Sequence, residues 1–68
     1  MNISWENGSI ITVKVVNEEV VISANKEGLL SFAKQLSQLA QQDQGSHIHY
    51  DKYNSLEEGS IDLIVEKV

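Results

Sequence analysis

Hydrophobic spacing in this chain changes period twice, at Asn25 and again after Gly45, and that alone dictates an order of elements. Before Asn25 the apolar residues alternate. Ile11, Val13 and Val15 share one side of a run rich in β-branched residues, with Thr12 and Lys14 on the other. Val20, Ile22 and Ala24 alternate with Val21 and Ser23 after the break at Asn17-Glu18-Glu19. Ile3 and Trp5 alternate with polar neighbours and lead into the turn dipeptide Asn7-Gly8, so residues 1–24 read as three strands.

After Asn25 the spacing becomes three and four. Leu29, Phe32, Ala33, Leu36, Leu39 and Ala40 form one stripe of a helix, with Leu30 at its edge. Lys34, Gln35, Ser37, Gln38, Gln41 and Gln42 form the expected outer face. Asn25 is placed to cap this helix through its side-chain oxygen, and Gly45 to end it in a left-handed conformation. Alternation then returns over residues 46–53 and 61–68, separated by a loop containing Gly59. The expectation is an α+β fold: a single domain over residues 1–68, ordered β-β-β-α-β-β. An antiparallel-dominated sheet of about five strands would carry the helix on one face. The sheet's other face, including Thr12, Lys14, Val16, Val21, His47, His49, Asp51, Asp62 and Ile64, would be left for a partner or for a second copy of the chain.

Size and composition remove several classes of function. A chain of 68 residues can bury about 60% of its unfolded surface, enough for one thin core and no deep substrate cavity. It has no cysteine, hence no disulfide, thiolate nucleophile or Cys-based zinc site. No apolar run approaches the roughly 20 residues of a spanning helix. The start, MNISWENG, has neither a cationic stretch nor an apolar signal segment, and a cytoplasmic location fits. Formal net charge is −5, with no arginine and five scattered lysines, which argues against nucleic acid and anionic membranes as partners. Such a surface steers toward a basic protein, although acidity is common among small soluble proteins.

His47-Ile48-His49-Tyr50-Asp51 is the segment with the most chemistry in it. On a strand His47, His49 and Asp51 would point the same way, in the pattern of a facial triad. They would also span roughly 13 Å, too far for all three to share one ion, although the His pair with help from another strand could; a solvated polar face is the expectation, and no metal or other cofactor is assigned. No catalytic residue is assigned either. No serine sits in a Gly-x-Ser-x-Gly elbow, and Gly8, Gly28, Gly45 and Gly59 are too dispersed for a phosphate loop. Glu57-Glu58 reads as solvated charge. Trp5 is either a filler at the sheet edge or an interface anchor, and Tyr53 stands at a strand end where either role is open.

The sequence Ala24-Asn25-Lys26-Glu27-Gly28-Leu29-Leu30, the strand His47-Ile48-His49-Tyr50-Asp51, the loop pair Leu56-Glu57 and the last strand Ile61-Asp62-Leu63-Ile64-Val65 occur in a fixed order. This combination resembles the immunity protein 32 family of bacterial polymorphic toxin systems, over about residues 20–68. The resemblance implies a small α+β protein that binds and neutralises a cognate protein toxin in its own cytoplasm. It assigns Asn25, Gly28, His47, His49 and Asp51 as motif residues, Asn25 as a cap and Gly28 as the site of a close helix-to-sheet approach. With Tyr53 and Trp5, the residues His47, His49 and Asp51 make up the expected partner-binding set. The alternative is a non-catalytic module that pairs with itself as a homodimer through sheet faces or edges.

Overall fold

Asn25 joins the first pair of strands to the helix in a computed structural model that describes residues 3–68. Met1 and Asn2, the start of the first expected strand, lie outside the described residues. The elements are β1 (Ile11–Val16), β2 (Glu19–Ala24), α1 (Lys26–Ala40), β3 (His47–Tyr50) and β4 (Leu63–Glu66). The class is α+β, with one helix and four strands among the described residues. The strands form two separate antiparallel pairs, β1–β2 and β3–β4, rather than one sheet of five.

Two local facts account for the difference. The segment containing Ile3 and Trp5 is not a strand, because its backbone is held by helix side chains instead of a neighbouring ladder. The Glu6 N–H donates to Ser31 Oγ at 2.8 Å, and Gln35 Nε2 donates to the Ser4 carbonyl at 2.7 Å. The second fact concerns the outer edge of β1, which receives a loop and not a strand. Glu57 N–H donates to the Ile11 carbonyl and Ile61 N–H to that of Val13, while Val13 N–H donates to Ser60 Oγ. Residues 57–61 thus stand between the two hairpins.

The helix is rotated from the expected stripe. Its inward face is Gly28, Ser31, Gln35 and Leu39, with Phe32 packed beside them, whereas Leu29, Leu30, Ala33 and Ala40 are exposed. Gln35, expected outside, is fully buried, and its amide is satisfied at both ends: Tyr50 Oη donates to its Oε1 at 2.8 Å while Nε2 binds Ser4. A polar residue at an inward position is tolerated on that condition. The helix also ends before the expected Gly45. Gln41 is the C-cap in a right-handed conformation, and Lys67 Nζ donates to the Ala40 and Gln42 carbonyls, binding the groups that a helix end leaves free. Gly45, at φ +92°, instead turns the chain into β3.

Asn25 is a hub as well as a cap. Its Oδ1 accepts from Gly28 N–H at 2.8 Å and Ile10 N–H at 3.0 Å, and its Nδ2 donates to the Gly8 carbonyl. Gly28 is required for this approach, since a Cβ there would stand 2.5 Å from the Ile10 carbonyl oxygen. The core is Ile11, Val13, Leu39, Ile48, Tyr50 and Leu56, with Trp5, Phe32, Leu63 and Val65 packed against it. Tyr50 is its centre, meeting Phe32 and Trp5 edge to face at 5.4 and 6.0 Å between centroids.

Candidate functional site

The strand β3 divides its residues cleanly. Ile48 and Tyr50 point into the core, so His47 and His49 point outward, as period-two geometry requires. In the β3–β4 register His47 faces Glu66 and His49 faces Ile64. Directly opposed residues share a face, so the outward surface of this hairpin carries His47, His49, Ile64 and Glu66 together. Asp62, just before β4, reaches His49, with Oδ2 at 3.1 Å from Nε2. Both side chains are well exposed, so this pair orients the imidazole in solvent and adds little to stability.

Asp51 takes a different part. Its Oδ1 accepts from the N–H groups of Tyr53 and Asn54, its carbonyl accepts from Ser55 and Leu56, and its own N–H donates to Asn54 Oδ1. Asn54 Nδ2 donates to the His49 carbonyl and Ser55 Oγ to Asn54 Oδ1, closing the turn. The Asp51 carboxylate therefore shapes the loop beside the histidines rather than joining their row. Its signal was present in the spacing of Asp51 and Asn54, a common turn-forming pattern. The turn delivers Tyr53 to solvent, 88% exposed, with Lys52 Nζ 5.5 Å from its ring centroid.

Trp5 is not brought to this surface. It meets Tyr50 edge to face, on the side of β3 opposite the histidines, and its Nε1 is buried with no partner among the described residues. Asp62 and Ile64 join the histidines as expected, but Thr12, Lys14, Val16 and Val21 lie on the other hairpin. Glu66 is absent from the expected face residues, although alternation puts it with Asp62 and Ile64; the register sets it opposite His47.

Among the described residues no group of three or more His, Asp or Glu is placed to hold a metal ion, and no enclosed pocket is present. Among the described residues no helix is long and apolar enough to cross a membrane. The surface is mixed in character, with an imidazole pair, an aliphatic side chain, an exposed phenol and carboxylates around them. Such a surface can bind another macromolecule by complementarity.

Comparison with curated proteins finds no match, and neither does comparison with solved structures. A family model does match, over residues 19–68, which take in β2, the capped helix, the His47-to-Asp51 strand and β4. That span is most of the chain, and the chain belongs to the immunity protein 32 family.

Proposed function

We propose that this protein neutralises a cognate protein toxin by stoichiometric binding, without catalysis, and that the outward face of the β3–β4 hairpin with the Tyr53 loop meets the toxin. The observation that carries the reading is the placement of His47, His49 and Tyr53. All three are exposed, and none packs in the core or caps an element. Aromatic and imidazole groups grouped at a surface are the kind of side chain that anchors interfaces. Membership of an immunity family supplies the kind of partner.

The charge of this surface suggests the toxin's. Asp62 and Glu66 flank the histidines, Glu57 and Glu58 lie exposed in the adjoining loop, and the whole chain is at −5. A basic toxin surface is complementary, and attraction of this kind acts mainly on encounter and weakens with salt. The cytoplasm, where a producing cell meets its own toxin, is the compartment this role requires.

The test takes the toxin encoded in the genetic neighbourhood and measures its binding to the chain by calorimetry, with growth rescue as the second readout. The variant is His47→Ala, His49→Ala and Tyr53→Ala together. Asp51 is left intact because its loss would open the turn. Loss of about 100-fold or more in affinity, the effect of removing central anchors, supports the surface. Unchanged affinity and rescue would show that the toxin binds elsewhere.

A further inference from the structure

We infer that β2 is a dimerisation edge, and that a second copy of this chain pairs with it antiparallel about a two-fold axis at Ile22. Backbone bookkeeping leads to this. The carbonyls of Ile11 and Val13 turn away from β2 toward residues 57–61, so the ladder bonds of the first hairpin belong to Thr12, Lys14 and Val16. Their partners on β2 are Ser23, Val21 and Glu19. The N–H and C=O groups of Val20, Ile22 and Ala24 therefore point away from β1, and they have no backbone or side-chain partner among the described residues. This edge has the sequence EVVISA, without proline or lysine, and no bulge breaks the continuous register of its pairing with β1. Those are the features that normally prevent an edge from recruiting another strand.

The edge is complementary to itself. A two-fold axis normal to the sheet keeps each face on its own side, so opposed residues must have the same parity. Centring on Ile22 sets it against its own copy and Val20 against Ala24. The three residues with outward backbone groups then meet one another and none is left over. Extended past the strand ends, the same register sets Glu18 of one chain toward Lys26 of the other, acid toward base on both sides of the axis. The side chains also need cover, as Val20 is 62% exposed and Val15 57%, on the same face as buried Ile11 and Val13.

Sedimentation velocity over a concentration series up to about 100 μM tests this, because a small edge-paired dimer is governed by mass action. The expected species at high concentration has twice the 7.6 kDa of one chain. Val20→Lys, which puts a charged side chain at an exposed position of the pairing edge, is expected to give a monomer with an unchanged circular dichroism spectrum. A second series guards against misfolding. Glu18→Lys and Lys26→Glu each weaken the dimer, and combining them restores it. A wild-type chain that stays monomeric throughout overturns the inference, even if a toxin strand is later found on this edge. So does a dimer indifferent to Val20→Lys and to both charge reversals. This inference is separate from the toxin surface, and neither set of variants touches the histidine face.

Discussion

Two antiparallel hairpins in one small chain have been finished in opposite ways. In β3–β4 one face is closed: Ile48, Tyr50, Leu63 and Val65 face the core, and what remains outside is polar or imidazole apart from Ile64. In β1–β2 only Ile11 and Val13 are fully buried, and β2 shows Val20, Val21 and Ile22 to solvent from both faces. The first pattern is a hairpin whose packing is complete, leaving its outer face to solvent. The second is a hairpin whose packing is unfinished within one chain. Exposed polar groups and exposed apolar groups suit different kinds of partner, and the two proposed surfaces fall on different hairpins for that reason.

The contrast breaks first at Tyr50. Tyr50→Ala removes the ring that Phe32 and Trp5 pack on and strands the Gln35 amide, at a cost of about 3–5 kcal/mol, comparable with the whole stability of so small a domain. Urea unfolding followed by circular dichroism should find the variant largely unfolded. A wild-type-like midpoint would mean the core is centred elsewhere. Alkali sharpens the same point. Burial pushes the Tyr50 phenol from 10.0 up to about 12, so the folded state holds its proton more tightly than the unfolded chain. Its contribution is fully present below pH 10 and is lost as pH rises through about 12. The Tyr50→Phe chain should lose this part of the alkaline fall in thermal stability.

Gly28 comes next, because it sets the distance between the helix and the first hairpin. Gly28→Ala forces a Cβ against the Ile10 carbonyl and should cost about 1–3 kcal/mol by the same unfolding assay. A neutral result would show that the helix can move outward freely. Ile22→Ala, the counterpart of Tyr50→Ala on the other hairpin, should cost only about 1 kcal/mol in the monomer, since that side chain is incompletely buried. Equal losses at Tyr50 and Ile22 would erase the distinction between the hairpins. The smallest effect belongs to the histidine face, where the combined His47, His49 and Tyr53 alanine variant should change stability by no more than about 0.5 kcal/mol.

How much of this was legible beforehand follows from where each constraint resides. The helix after Asn25, the paired strands around Asn17-Glu18 and the outward histidines are products of local periodicity and capping, which the residues carry in themselves. The rotation of the helix was not legible. Gln35 and Ser31 face inward because a tyrosine hydroxyl and an irregular N-terminal backbone lie there to satisfy them, and those partners are 15 or more residues away. The split of the sheet has the same origin, since only the fold shows that residues 57–61 take the β1 edge a fifth strand would have used. Of the candidate surface, His47, His49 and Tyr53 could be read from alternation and position. Glu66 shares its side with Asp62 and Ile64 by alternation, and Asp51-x-x-Asn54 is a turn pattern. That Glu66 stands opposite His47, and that the Asp51 carboxylate is engaged in the turn, needed the register and the loop.

The most direct measurement titrates the cognate toxin into three forms of the chain: wild type, the His47, His49 and Tyr53 alanine variant, and Val20→Lys. One-to-one binding that falls about 100-fold or more in the alanine variant and is unchanged in Val20→Lys is the predicted result, with recognition on one hairpin and self-pairing on the other. Full affinity in the alanine variant and its loss in Val20→Lys would contradict the account, placing the toxin on the β2 edge.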